Sequence, residues 1–427
     1  MNEVRRVVLQ EYGEFTVIEA SKAEIAEIRR ASCSWKSSLG LRREPFSIRQ
    51  IDEGMYQLRA EGVAGIVRIG KFEFEIAPKF LNSNCSEWQI VFCKILAVVC
   101  GGTSDSRQLR ASESSKGVLI EYLAGIFVSS FMRGSLNGLP RGYRSVEKRG
   151  LAPQGSLDLS KIIDFYIRPW EYPCLVDVLS MDTPVASLLK WAASRLCSMV
   201  SSSVMVRDLR CIAGMLAYVK TPTPHAIDAR KLKLGVQYKE LDDAFAIALM
   251  LLEGSGVSYV PGKRALTGFL WNSDVVFENY MFWLCGQSAS ELQLGVSKHA
   301  YAFGEVVYGA GKELTTIPDV VFKDSASCVV AVADAKYKVY GSCPAASDVY
   351  QVLNDAHVLG TRWVSLLYPV SRDVSQKIWK VDSKLGAGEV YITMLPINLM
   401  RIACQGGISE LVSSITRWLQ NGSSLGQ

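Results

Sequence analysis

Residues 317–336 read Ile317-Pro-Asp319-Val-Val-Phe322-Lys-Asp-Ser-Ala-Ser327-Cys-Val-Val-Ala-Val-Ala-Asp334-Ala-Lys336. Two short valine-rich runs, Ile317–Phe322 and Cys328–Lys336, flank a turn-like Lys323–Ser327, which predicts a hairpin of adjacent strands. Side chains two apart on a strand leave the same face, so Asp334 and Lys336 share one. With Asp319 opposite them on the neighbouring strand, two carboxylates and an ammonium converge. Carboxylate oxygens of this kind hold a divalent cation. The ion polarises a phosphodiester and lowers the pKa of a bound water, while the lysine positions that water or offsets developing charge. The chemistry this predicts is metal-assisted phosphodiester hydrolysis. A D/E-x-K triplet alone says little, being expected roughly a few times in a chain of this length. Asp382-Ser-Lys384, beside Gly386 in a stretch that reads as an exposed turn, is such a decoy. Asp334 and Lys336 differ in ending a buried-looking strand one strand after the only Pro-Asp pair in the chain. The competing reading is a strand end with a solvated ion pair worth little.

Working outward, Glu278 lies among apolar neighbours in Val275-Val-Phe-Glu-Asn-Tyr-Met281, on a predicted helix ahead of these strands, and supplies a candidate third carboxylate. Gln351, in Ser347-Asp-Val-Tyr-Gln-Val-Leu353, lies on the helix after the lysine strand, where an amide can orient a ligand, a water or a phosphate. Each is otherwise an ordinary polar residue on a helix surface. Helices at Ser273–Cys285, Ala345–Leu359 and Ile408–Leu419, with strands at Leu292–His299, Trp363–Pro369 and Glu389–Ile397, make residues 263–427 an α/β core.

Upstream, Tyr56–Glu61, Gly65–Ile69 and Phe72–Phe80 are β-branched and aromatic runs, so residues 1–86 read as a β-rich module of strands and turns. Apolar residues then recur at helical spacing in Trp88–Cys100, Lys116–Leu136, Pro184–Ser202, Asp208–Tyr218 and Lys239–Leu252, making residues 87–262 a mostly helical region. Pro184 after Asp182-Thr183 reads as a first-turn proline. Gly254–Gly262 has linker composition and marks the main boundary. The fold class expected is α+β and multidomain.

The 427 residues carry 47 Lys+Arg against 42 Asp+Glu, a formal +5 that permits nucleic acid without demanding it. Eleven cysteines form no C-x-x-C pair and only His225, His299 and His357 are present, which argues against structural zinc and zinc hydrolases and for reduced thiols in a cytoplasmic protein. The opening residues contain no apolar signal segment, and no apolar run reaches the length of a membrane span.

Taken in order, F-E (Phe277-Glu278), P-D-V-V-F, D-A-K-Y-K, S-D-V-Y-Q and L-L-Y-P (Leu366–Pro369) resemble the PD-(D/E)xK nuclease domain of the McrC proteins, nuclease subunits of McrBC-type 5-methylcytosine restriction systems. Phe74-Glu-Ile-Ala-Pro-Lys79 resembles that family's I-x-P-K strand. Gly138-Leu-Pro-Arg-Gly-Tyr143, with Glu147 and Gln154-Gly-Ser-Leu-Asp158, resembles its G-L-x-x-x-Y and R-G-x-I-D segments. The resemblance spans about residues 50 to 370. It implies a C-terminal restriction-endonuclease-like core in which Asp319 and Asp334 hold Mg²⁺, with Mn²⁺ as a substitute. Lys336 would be the catalytic lysine, and Glu278 and Gln351 would support the site, Glu278 as a further metal carboxylate. Two positions depart from the pattern: Asp355 stands where related nucleases place a tyrosine, and the G-S-L-D segment lacks the preceding arginine.

Gly309-Ala-Gly-Lys312 fails as a phosphate loop, since Val306 and Glu313 replace the required Gly and Ser/Thr. The resemblance accordingly implies a separate McrB-like AAA+ GTPase or ATPase hexamer, with the segment ahead of the nuclease core docking on it. The expected function is a Mg²⁺-dependent DNA endonuclease subunit of a restriction or antiphage system. The alternatives are an autonomous or LlaJI-like sequence-specific nuclease, and a non-catalytic subunit that activates the NTPase.

Overall fold

The computed structural model describes residues 5–81, 87–99, 119–161, 167–220, 232–254, 267–304, 313–383 and 388–425. The chain forms two compact units, Met1–Val99 with Gly256–Gln427, and Cys100–Ser255. In chain order the first unit begins with β1 (Arg5–Gln10), β2 (Thr16–Glu19), α1 (Lys22–Ser38), β3 (Phe46–Asp52), β4 (Met55–Ala60), β5 (Val63–Ile69), β6 (Phe72–Ala77) and α2 (Glu87–Val99). The second holds α3 (Leu119–Leu136), β7 (Gly142–Gly150), β8 (Ser156–Leu157), β9 (Tyr172–Ser180), α4 (Pro184–Cys197), α5 (Ser203–Met215) and α6 (Asp242–Gly254). The chain then returns to the first unit through β10 (Thr267–Asn272), α7 (Ser273–Glu291), β11 (Gly295–Ser297), β12 (Tyr301–Gly304), β13 (Leu314–Thr316), β14 (Val320–Lys323) and β15 (Val329–Ala335). It ends with α8 (Ala346–Leu359), β16 (Trp363–Val370), β17 (Lys377–Ser383), β18 (Gly388–Asn398) and α9 (Gly407–Leu425).

The N-terminal part has two sheets, ordered β1-β6-β5-β10 and β2-β4-β3. Strands and turns were the expectation here, and α1 departs from it. Ile25, Ile28, Ala31 and Trp35 recur at helical spacing, and a capping box between Ser21 and Glu24 starts the helix. These residues pack with Leu58, Phe74, Ile76 and Leu270 into one core. Leu270 belongs to β10, whose antiparallel register on β5 runs from Thr267 opposite Arg68 to Asn272 opposite Val63. This pairing groups the segments differently from the three-part division read from composition: residues 1–86 share a unit with the C-terminal core, because the free edge of β5 is closed by a strand from beyond residue 262. The linker-like stretch lies, from residue 255 on, outside the described residues, as do residues 305–312 of the phosphate-loop lookalike.

In the second unit the helices form as their spacing predicts. The Thr183 hydroxyl accepts from the Ala186 amide at 3.2 Å ahead of Pro184. The unit also contains an antiparallel ribbon, ordered β7-β9-β8, that a mostly helical reading omits. Strand β7 is GYRSVEKRG, exposed along nearly its whole length, so it carries no apolar alternation. Gly155 in the Q-G-S-L-D segment has φ +73°, and a Cβ there would stand 2.3 Å from the Leu175 carbonyl oxygen, so this turn against β9 requires glycine.

The C-terminal sheet is ordered β11-β14-β15-β16-β18-β17. Strands β14 and β15 form the expected hairpin, Val320 opposite Ala333. Strand β16 lies parallel to β15 and to β18, with α8 as the crossover between β15 and β16. Every residue of β16 is buried, as a strand covered on both faces requires. Val332, Val364, Leu366, Ile392 and Met394 pack with Val352 and Ala356 of α8. Alternate side chains meet α9 on the other face: Trp418 stacks on Trp363 and its indole N–H donates to Thr393 Oγ1 at 3.1 Å. Among the described residues no helix is long and apolar enough to cross a membrane.

Candidate active site

Asp319 precedes β14, Asp334 sits near the carboxyl end of β15, Lys336 follows that strand, and Gln351 lies in the second turn of α8. The hairpin register brings the two aspartates together, and Asp319 is fixed by accepting the Ala335 amide at 2.8 Å through Oδ2. Gln351 bridges the other two residues. Its amide oxygen accepts from Lys336 Nζ at 2.8 Å and its Nε2 donates to Asp334 Oδ1 at 3.0 Å. Lys336 also forms an ion pair with Asp334 Oδ2. An open-sheet crevice beyond the carboxyl ends of parallel strands is the usual ligand position in such folds.

Asp334 is 1% exposed, and the Lys336 ammonium is the partner of its Oδ2. Burial, reinforced by the Asp319 charge and opposed by Lys336, pushes its carboxyl up to about 7. Two adjacent carboxylates, the buried one facing the Lys336 ammonium, form a hard-oxygen set of the kind a divalent cation takes.

Glu278, one turn into α7, lies at the margin. Lys298 forms an ion pair with it and reaches Asp319 Oδ1 at 3.3 Å, so an ammonium stands between the third carboxylate and the pair. Among the described residues no three carboxylate, imidazole or thiolate groups gather as a metal-binding set. Lys298 was not singled out in the sequence, lying just past the three-residue β11 in a stretch without periodicity. Asp348 was also passed over, although it stands three residues before Gln351 and hence on the same helical face. It is buried, accepts from Lys338 Nζ at 2.7 and 2.9 Å, and lies 3.9 Å from Lys336 Nζ. Asp355, at the position of the expected tyrosine, is fully buried and accepts a hydrogen bond from Thr316. Of the decoy, Asp382 ends β17 on the surface and Lys384 lies outside the described residues.

Residues 58–369 match the family model described as McrBC 5-methylcytosine restriction system component. A chain of the refined half-complex from the tetradecameric assembly of Thermococcus gammatolerans McrB AAA+ hexamers with bound McrC has a similar fold. It aligns with 96% of this chain and 99% of its own length at 13% identity and a TM-score of 0.63. A chain of the cryo-EM structure of the Thermococcus gammatolerans McrBC complex aligns with 65% of this chain and 85% of its own at 13% identity and a TM-score of 0.47. Comparison with curated proteins gives no match.

Proposed function

The chain belongs to the family of McrBC 5-methylcytosine restriction system components, and from that premise we propose that it is the system's Mg²⁺-dependent DNA endonuclease subunit, working with a McrB-like AAA+ NTPase hexamer on which it docks. The observation that carries the reading is the Gln351 bridge, which ties Asp334 and Lys336 into one array beside Asp319. A surface ion pair needs no such tie.

Asp319 and Asp334 would hold the cation. When bound, Mg²⁺ supplies Lewis-acid polarisation of the phosphodiester and acidifies a water. Lys336 then presents its ammonium to the attacking water or the developing phosphorane charge, and Gln351 keeps that ammonium and Asp334 in register. Glu278 reaches the site only through Lys298, and becomes a ligand if a cation takes that ammonium's place. The partner is supported by the similar fold of a chain from an assembly of AAA+ hexamers with bound McrC. The two phosphate-loop lookalikes, ending at Lys312 and at Lys263, lack required residues: Val306 and Glu313 stand in the first, Val257 in the second.

The test combines the purified full-length protein with the AAA+ protein encoded beside it. Co-elution, raised NTP turnover and DNA cleavage that needs Mg²⁺ or Mn²⁺ are expected. Zinc-selective chelation should leave cleavage intact, since the donors are carboxylate oxygens. Vigorous cleavage by the isolated chain, without complex formation or stimulation, would favour an autonomous nuclease. Stimulation of NTP turnover with no cleavage under any metal would favour the non-catalytic subunit.

A further inference from the structure

Directly behind the site, three residues far apart in sequence meet in the interior. Glu11 follows β1 and is 1% exposed, Lys79 lies two residues beyond β6, and Tyr337 is the neighbour of Lys336. The Tyr337 hydroxyl donates to Glu11 Oε2 at 2.6 Å, and the Lys79 amide donates to the same oxygen at 3.0 Å. The Lys79 ammonium donates to the Tyr337 carbonyl and lies over the Tyr337 ring, 4.0 Å from its centroid. Phe80 meets that ring edge-on at 5.2 Å, and Phe277 of α7 lies 5.5 Å away.

This arrangement is costly for the fold. The Glu11 carboxyl is buried, and the next residue, Tyr12, adopts φ 53°, a left-handed conformation uncommon outside glycine. Buried ionic groups are seldom better for stability than an apolar trio of the same volume, whereas they do fix direction. Here both the hydroxyl and the carbonyl of Tyr337 are fixed, by one carboxylate and one ammonium. Strand β15 ends at Ala335, and past it the Lys336 amide keeps a single sheet contact, donating to the Leu367 carbonyl at 2.8 Å. The residue that follows Lys336 is thus held from behind at both its hydroxyl and its carbonyl.

We propose that Glu11, Lys79 and Tyr337 are positioning residues that set the direction from which the Lys336 ammonium meets Asp334 and Gln351. Their effect on cleavage rests on the nuclease reading, while their effect on Lys336 itself does not. In this clamp Lys79, two residues past β6, reaches with its ammonium the carbonyl of the residue next to Lys336.

The experiment compares the full-length protein with Lys79→Met and Tyr337→Phe in two assays. The first is acylation of Lys336 by an amine-reactive reagent, read by peptide mass spectrometry with the exposed Lys380 as internal standard. The second is Mg²⁺-dependent DNA cleavage with the AAA+ partner. In both variants Lys336 is expected to acylate severalfold faster, with a melting temperature close to that of the wild type. A displaced lysine should lower kcat by about 10- to 100-fold while leaving KM nearly unchanged. Lys79→Arg, which keeps a donor toward the carbonyl, should restore part of the rate. Tyr337→Phe removes a single oxygen and remains informative if Lys79→Met does not fold. Wild-type Lys336 acylation in a folded variant overturns the proposal. Faster acylation together with a wild type that never cuts DNA upholds the clamp and rejects the nuclease reading.

Discussion

Asp334→Ala is expected to reduce Mg²⁺-dependent DNA cleavage by about 10²–10³-fold or more, and Lys336→Ala by a comparable factor, because each removes charge stabilisation realised at the transition state. The structure alters how such variants must be controlled. Asp334 is 1% exposed and the Lys336 side chain is 11% exposed, so truncating either also removes packed volume. Alanine at 334 also leaves Gln351 Nε2 without its acceptor and frees Lys336 to turn toward Asp348, 3.9 Å away. Asp334→Asn is therefore the decisive variant. It keeps the volume and an acceptor for Gln351 while losing the charge. Asp382→Ala, on the exposed end of β17, should cut DNA like the wild type. Cleavage rates with Mg²⁺ and partner present, together with melting temperatures, make the check. Wild-type cleavage by Asp334→Asn would sink the assignment of the site.

The second large effect expected is on stability as pH changes, and its source is Glu11. Burial pushes this carboxyl up from 4.5 to about 7, against the lowering influence of the Tyr337 hydroxyl, the Lys79 amide and ammonium, and Ser273. A folded-state pKa above the unfolded one means that the folded chain holds the proton more tightly. The associated stability is fully present below about 4.5 and is lost as pH rises through 7. Raising the carboxyl from 4.5 to about 7 corresponds to roughly 3 kcal/mol. Glu11→Gln cannot ionise, so its stability relative to the wild type should rise by about that amount between acid pH and pH 8. Denaturant unfolding of both proteins across this range reads the difference directly. A constant offset would mean that Glu11 ionises in the fold without penalty.

Much of the site was legible because it is local. The hairpin carrying Asp319 and Asp334 spans under twenty residues, the strand period puts Asp334 and Lys336 on one side, and the helical spacing after them delivers Gln351. Sequence signals failed where partners are distant or patterns mixed. Glu11 and Tyr337 are separated by 326 positions, and no periodicity links them. Helix α1 carried its own signals, a Ser21/Glu24 capping box and apolar residues at 25, 28, 31 and 35, but these were outweighed by the β-branched runs that follow it. Strand β7 gave no signal because nearly all of it faces water. Strand β10, six residues between a linker-like stretch and a helix, was not read as a strand, and nothing in its sequence names β5 as its partner.

That pairing has a consequence for how the protein is made. Translation produces β5 long before β10, so a nascent chain must carry the whole of the Cys100–Ser255 unit past the ribosome exit before residues 267–272 can complete the first sheet. Until then the backbone of Val63–Ile69 displays an unsatisfied row of N–H and C=O groups beside an apolar core, the kind of edge that recruits strands from other chains. Any product stopped near residue 260 keeps that edge permanently, and such fragments should be found with chaperones or in aggregates.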